Sequence, residues 1–171
     1  ICLALRGKLQ DAALCFRETI KLKPEYSDAH SNLGNVYLTM GQRDQAVECY
    51  QKAIELNPNE SVYYHNFGTT VYLFRKDARE FYKITEQQVF DKAFDLYGRA
   101  LKLDPNNFPL ASDIAQTYYA AKPLRLEPAL QAWTNALHLA HDDIEREGVY
   151  LHLARLKLSA GRFADARAHL D

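Results

Sequence analysis

The chain has 171 residues, with 21 basic and 22 acidic side chains and a net charge of -1. That balance, with no polybasic run, argues against nucleic acid and against an anionic membrane surface as partners. Hydrophobic residues make up 47%, enough for a real core, so the chain is not a disordered tail.

In chain order, hydrophobic periodicity predicts helices throughout. Residues 1–6 read as the end of one helix, Gly7 as a turn, and the following stretch up to Pro24 as a second helix. From Ser27 to Met40, Ala29, Leu33, Val36, Tyr37 and Met40 form a helical stripe. Gly41 then ends that helix, since glycine adopts φ > 0 without strain. From Asp44 to Asn57 the stripe resumes with Ala46, Val47, Tyr50, Ala53 and Ile54, and Asn57-Pro58-Asn59 signals a turn. The same helix, turn, helix, turn grammar returns over residues 61–103, 108–139 and 147–171.

A fixed stride underlies this grammar. Gly7, Ala12, Cys15 and Pro24 recur 34 residues on as Gly41, Ala46, Cys49 and Pro58, whereas the next proline of the series, Pro105, comes after 47. A period of this length marks a solenoid of stacked helix pairs, and the 13 additional residues mark an insertion on one side of it. Within it, Val71, Phe74, Ala78, Phe81 and Tyr82 are expected to prolong the first helix by about two turns. Thr85-Glu86-Gln87-Gln88 reads as a capping box that starts the second helix, with Phe90, Ala93, Phe94 and Tyr97 following at helical spacing. The expectation is an extended helical hairpin near residues 75–88.

Small residues recur where helices must approach closely. They are Gly34, Gly68, Ala115 and Ala154 on first helices and Ala46, Ala93, Ala129 and Ala166 on second helices. Large residues follow four positions after the second set, at Tyr50, Tyr97, Trp133 and Leu170, and Phe16 follows Ala12 in the same way. Such small-against-large packing lets one pair nest and the next stack on it. Cys15 and Cys49 share one slot of consecutive repeats. Neighbouring helices lie about 8–10 Å apart, more than a disulfide spans, so both are expected as small apolar packing residues.

Ala29-His30-Ser31-Asn32-Leu33-Gly34-Asn35-Val36-Tyr37, with Gly41, Ala46, Tyr50, Ala53 and Pro58, resembles the tetratricopeptide repeat signature. The resemblance runs along essentially the whole chain. It weakens at residues 122–127, where two extra residues replace the glycine turn, and at residues 138–147, where no proline closes the repeat. The resemblance implies an all-α, right-handed α-solenoid of antiparallel helix pairs. The array would divide into a partial repeat 1–26, repeats 27–60, 61–107 and 108–141, and a partial repeat 142–171.

In that family first helices line a concave groove that holds partner peptides. The resemblance therefore implies a groove built from Ser31, Asn32 and Asn35, then His65, Asn66, Thr69 and Tyr72, then Ser112, Asp113, Gln116 and Tyr119, and last Arg155. Asparagine suits such a face because its amide both donates to and accepts from a peptide backbone. Asn32 and Asn66 share one slot and look like two rungs of the asparagine ladder in O-linked N-acetylglucosamine transferase, which here stops at Asp113 and His152. Chaperone-binding members clamp a terminal carboxylate. Asn35 and Asn66 fit two clamp slots, but the basic slots hold Ser31, Pro109 and Asp113, so no capture of an acidic chaperone tail is expected.

Catalytic signals are weak. His138 and His141 with Asp142, Asp143 and Glu145 loosely suggest metal ligands, yet a helix end leading into the next helix start accounts for the same residues. With no phosphate loop or nucleophile motif, no enzyme activity, cofactor or metal is expected. No apolar stretch reaches membrane-spanning length and no signal peptide is visible, which favours the cytoplasm, although the chain opens at Ile1. It reads as an internal piece of a longer array. Its raw ends or the hairpin offer surfaces for homo-oligomers. The expected function is a protein-interaction scaffold. The alternatives are the substrate-presenting arm of a larger enzyme such as a glycosyltransferase, or a self-assembly module.

Overall fold

In the computed structural model, residues 2–119 and 124–161 are described. These described residues form nine helices and no strand. The helices fall into two units, Ile1–Leu103 and Asp104–Asp171, and each is taken by itself.

The first unit holds α1 (Cys2–Leu22), α2 (Ser27–Thr39), α3 (Arg43–Leu56), α4 (Ser61–Leu73), α5 (Arg75–Tyr82) and α6 (Glu86–Leu103). Helix α2 pairs with α3 and α4 with α6, while α1 packs chiefly on α2. The α2–α3 turn rests on Gly41 at φ 78°. Its N–H donates to Leu38 O, and the next N–H, of Gln42, donates to Tyr37 O at 2.8 Å. These bonds satisfy carbonyls that the helix end would otherwise leave without donors.

The expected slots pack as small against large. Gly34, on α2, sits so close to the Tyr50 ring that a Cβ there would fall 2.8 Å from it, and a Cβ on Gly68 would fall 2.9 Å from Tyr97. Ala46, Ala93, Ala115, Ala129 and Ala154 are all buried, as are Tyr50, Tyr97 and Trp133. Each of these rings removes about 150–250 Å² from water, on the order of 4–6 kcal/mol of transfer free energy before the entropy of ordering. Ala166 and Leu170, the last members of the two series, lie outside the described residues, as do residues 120–123.

The second unit holds α7 (Phe108–Thr117), α8 (Leu126–Leu139) and α9 (Asp143–Ser159), with α8 packed on both others. Asn107 caps α7 by accepting from Leu110 N at 2.9 Å. At α9, Asp142 accepts from Glu145 N at 2.8 Å while Glu145 accepts from His141 N at 2.7 Å. This reciprocal cap engages the acidic residues that the sequence set beside His141.

Three expectations change. Gly7 is no turn, because α1 runs unbroken through it. A single glycine inside a helix costs only about 1 kcal/mol relative to alanine, and Leu5, Arg6, Lys8 and Leu9 beside it are good helix formers, so the helix carries through. Cys15 is exposed, not a packing residue; Ala13, two positions earlier and so on the far side of α1, is buried instead. Cys49 is half-buried, and burial together with the neighbouring Glu48 pushes its thiol up to about 11.

The insertion is the third change. Helix α4 is not prolonged; it stops at Leu73, the register at which α2 stops at Thr39. Phe74 breaks the helix at φ -106°, ψ 34°, with the Arg43 guanidinium of α3 4.3 Å from its ring centroid. The separate helix α5 follows and ends at Lys83 in the left-handed conformation, φ 53°. The capping box is present: Thr85 N donates to Gln88 Oε1 at 2.9 Å, and Gln88 N donates to Thr85 Oγ1. Aligned on Tyr50 and Tyr97, α6 begins one turn earlier than α3. Lys92 of α6 lies 4.6 Å from the Tyr82 ring and 5.7 Å from that of Phe67. The insertion is thus a separate short helix packed chiefly on α6, set off by the break at Phe74, and not two further turns of α4. Two turns projecting alone would have only each other to pack against, whereas here Tyr82 meets the rest of the unit. The side chains of Ala78 and Phe81 lie outside the described residues.

Candidate functional site

The first helices carry the expected binding residues, and each unit presents its own set. In the first unit Asn32 and Asn35 of α2 are exposed, and His65, Asn66, Thr69 and Tyr72 of α4 are half-buried. Two exposed apolar side chains, Val62 and Leu73, flank the α4 set. Ser31 does not join this face. It is 3% exposed, one turn from both Ser27, which meets Tyr63 of α4, and Gly34, which meets Tyr50 of α3. Ser31 therefore faces the neighbouring helices.

Two core tyrosines reach this face from behind. Tyr50 donates to Asn35 Oδ1 at 2.8 Å, and Tyr97 donates to Thr69 Oγ1 at 3.2 Å. Tyr50 and Tyr97 hold one slot of the repeat, and Asn35 and Thr69 hold another. The sequence pattern marked the tyrosines as packing residues only; the repeated pairing of a phenol with a polar first-helix residue is the signal that would have found their second role. Burial pushes the Tyr50 phenol up to about 12, so it remains a donor at neutral pH.

Elsewhere on the face, Tyr63 donates to Asp28 at the start of α2, and its hydroxyl lies 3.0 Å from Ser27 Oγ. The Asp28 carboxylate is thereby tied to α4. The Tyr72 ring is backed by Phe90 at 6.3 Å and flanked by Arg75 at 5.9 Å, whose Nε pairs with Glu86 at 3.4 Å. His65 tilts against Tyr97 at 6.0 Å.

In the second unit Asp113, Gln116, Tyr119 and Arg155 are exposed and Ser112 is half-buried. Tyr119, His152 and Trp133 form one cluster. The His152 imidazole lies flat on the Trp133 indole, 4.1 Å between centroids and 8° between planes. Tyr119 donates to His152 O at 2.9 Å, and its oxygen lies 3.2 Å from His152 Nδ1. Burial, then the nearby Arg155 charge, hold the His152 pKa below its ordinary value of 6.5. Among the described residues there is no group of His, Cys, Asp or Glu arranged to hold a metal, and no helix is long and apolar enough to cross a membrane.

Comparison with known proteins gives a consistent picture. Tetratricopeptide repeat models match residues 27–60 and 148–171, and a TPR repeat model matches residues 3–41. No curated protein sequence matches closely enough to count as a relative. Solved structures do. MamA (41 to its end) from Desulfovibrio magneticus RS-1 aligns with a TM-score of 0.74 at 17% identity, over 99% of this chain and 85% of its own. YrrB, described as a TPR protein with an unusual peptide-binding site, aligns with a TM-score of 0.70 at 15% identity, over 99% and 78%. TTC0263, a thermophilic TPR protein of Thermus thermophilus, aligns with a TM-score of 0.66 at 20% identity, over 98% and 82%. At these identities the likeness speaks to fold alone. With three repeat matches on a fold whose small and large slots pack as the signature requires, the chain belongs to the tetratricopeptide repeat family.

Proposed function

We propose that the chain is a non-enzymatic scaffold that holds an extended segment of a partner protein along its first-helix faces. The observation that carries this reading is the repeated anchoring of Asn35 and Thr69 by buried tyrosines. A polar side chain fixed from behind has already lost rotamer freedom, so it binds a peptide backbone at lower entropic cost. Around these anchors stand exposed Asn32, half-buried Asn66 and Tyr72, and the apolar Val62 and Leu73. Such a face offers hydrogen bonds to a backbone and apolar contact to alternate side chains. The peptide-binding site named for YrrB, which shares the fold, supports the same reading. The division into repeats 27–60, 61–107 and 108–141, with partial repeats at either end, belongs to this reading, as does a protein or peptide partner.

Panning a random dodecapeptide library on the whole chain, then measuring the recovered peptides by calorimetry, tests it. The paired change Asn35→Ala and Tyr72→Ala is expected to weaken binding by tenfold or more, about 1.4 kcal/mol. A peptide terminating in several acidic residues is not expected to bind through its terminal carboxylate. Peptides whose affinity ignores both changes, and whose NMR shifts fall on the outer faces of α1 and α3, would refute the reading.

A further inference from the structure

The Tyr119–His152–Trp133 cluster carries more than packing. Its hydrogen-bond geometry determines which imidazole nitrogen holds the proton. Tyr119 has a single hydroxyl proton, and the shorter of its two contacts, 2.9 Å, goes to His152 O, which can only accept. At the second contact, 3.2 Å to Nδ1, the phenolic oxygen is left as the acceptor. Nδ1 must then carry a proton. In a neutral imidazole the other nitrogen, Nε2, is a bare acceptor. Nε2 makes no hydrogen bond among the described residues and is not closed off from solvent.

We infer that Tyr119 is a positioning residue that holds His152 flat on Trp133 as its Nδ1–H tautomer, so that Nε2 accepts a hydrogen bond from a neutral donor of the bound partner segment. This rests on the peptide-scaffold reading and specifies one contact of it. The donor is a backbone amide, a carboxamide or a hydroxyl. An ammonium or guanidinium is disfavoured because Arg155, on the same helix, is exposed and its charge is felt at both His152 and Tyr119. The depressed pKa of His152 keeps the ring neutral near pH 7, the state in which the acceptor exists. In free solution imidazole favours the opposite tautomer, so the bond to Tyr119 is what selects this one.

Long-range nitrogen–proton NMR spectra of the free chain at pH 7.5 are expected to show His152 as Nδ1–H. Tyr119→Phe keeps the ring against Trp133 but removes the hydroxyl, and is expected to return His152 toward the Nε2–H form. A wild-type spectrum already in the Nε2–H form, or one unchanged by Tyr119→Phe, would overturn the inference. The dodecapeptides recovered by the wild-type chain supply the second arm. Those that shift the His152 resonances are expected to lose about tenfold in affinity in Tyr119→Phe, the weight of one well-made hydrogen bond. If they lose nothing, or if lysine is enriched at the position contacting His152, the inference fails while the scaffold reading stands. If no peptide binds the chain at all, both fail.

Discussion

Tyr50 of α3 reaches 15 residues back along the chain to donate its phenolic proton to Asn35 Oδ1 of α2, at 2.8 Å. One side chain thereby fills the core and fixes a residue of the binding face. Tyr50→Phe separates the two roles. It keeps the ring against Gly34 and Phe67 and removes only the hydroxyl. The expected loss is about 0.5–1.5 kcal/mol of unfolding free energy, since exposed Asn35 can turn to water instead. Urea titration measures it, and an unchanged midpoint would mean the bond is not formed in solution.

The glycines of α2 and α6 are expected to respond oppositely to alanine. A Cβ on Gly34 would meet Tyr50 Cε1 at 2.8 Å, against a ring with no exposed area to move into. Gly34→Ala is therefore expected to destabilise by about 1–3 kcal/mol. Gly98 lies inside α6 with nothing within 4 Å of a Cβ and no positive φ. Gly98→Ala is expected to stabilise by about 0.5–1 kcal/mol through helix propensity alone. Thermal melts of the two variants should bracket the wild-type chain, and a gain from Gly34→Ala would contradict the packing described.

Lys83 closes α5 at φ 53°, a conformation that costs side-chain-bearing residues about 1–2 kcal/mol. Lys83→Gly is expected to recover about 0.5–1 kcal/mol, the rest being returned through the freer unfolded chain. Lys83→Val, β-branched, is expected to destabilise the α5 end. Amide exchange of residues 79–84 should slow in the first variant and quicken in the second. The same exchange in both would show that the left-handed turn is not populated.

Acid is expected to weaken the second unit. The folded pKa of His152 lies below the unfolded value of 6.5. Between these two values the unfolded chain binds more protons than the folded one, so stability falls as pH drops below 6.5 and levels off under the folded pKa. His152→Gln removes this dependence. Denaturant midpoints of the two proteins between pH 5 and 8 should converge at the acid end, and parallel curves would argue against a depressed His152.

The second and third repeats were the most legible part of the sequence. The slots at Gly34, Gly68, Tyr50 and Tyr97, the positive φ of Gly41 and the Thr85–Gln88 box are all local or strictly periodic, and all are present. What escaped depended on tertiary partners. Phe74 continues the apolar stripe of α4 well enough, but Arg43, 31 positions earlier, takes its ring and the helix ends. Gly7 satisfies the period, yet the good helix formers on both sides of it carry α1 through without a break. Ser31 lies on the border between the inward and outward stripes of α2, where periodicity does not decide. At the binding face the polar residues could be named, but not the hydroxyls behind them, because a tyrosine in a core slot gives no sign of where its oxygen points.

The break before α5 touches more than its own repeat, and the Tyr82 phenol at the end of α5 feels the Asp44 charge of α3. Phe74, against Arg43, ties the third repeat to the N-terminus of α3 in the second, while within the third repeat Lys92 ties Tyr82 to Phe67. In a linear stack each unit ordinarily feels its neighbour through one interface, and the array can fray unit by unit. An added strap across that interface raises the coupling between the two. The second and third repeats should then open as a single cooperative block, so local fluctuation in this chain would concentrate outside residues 27–103.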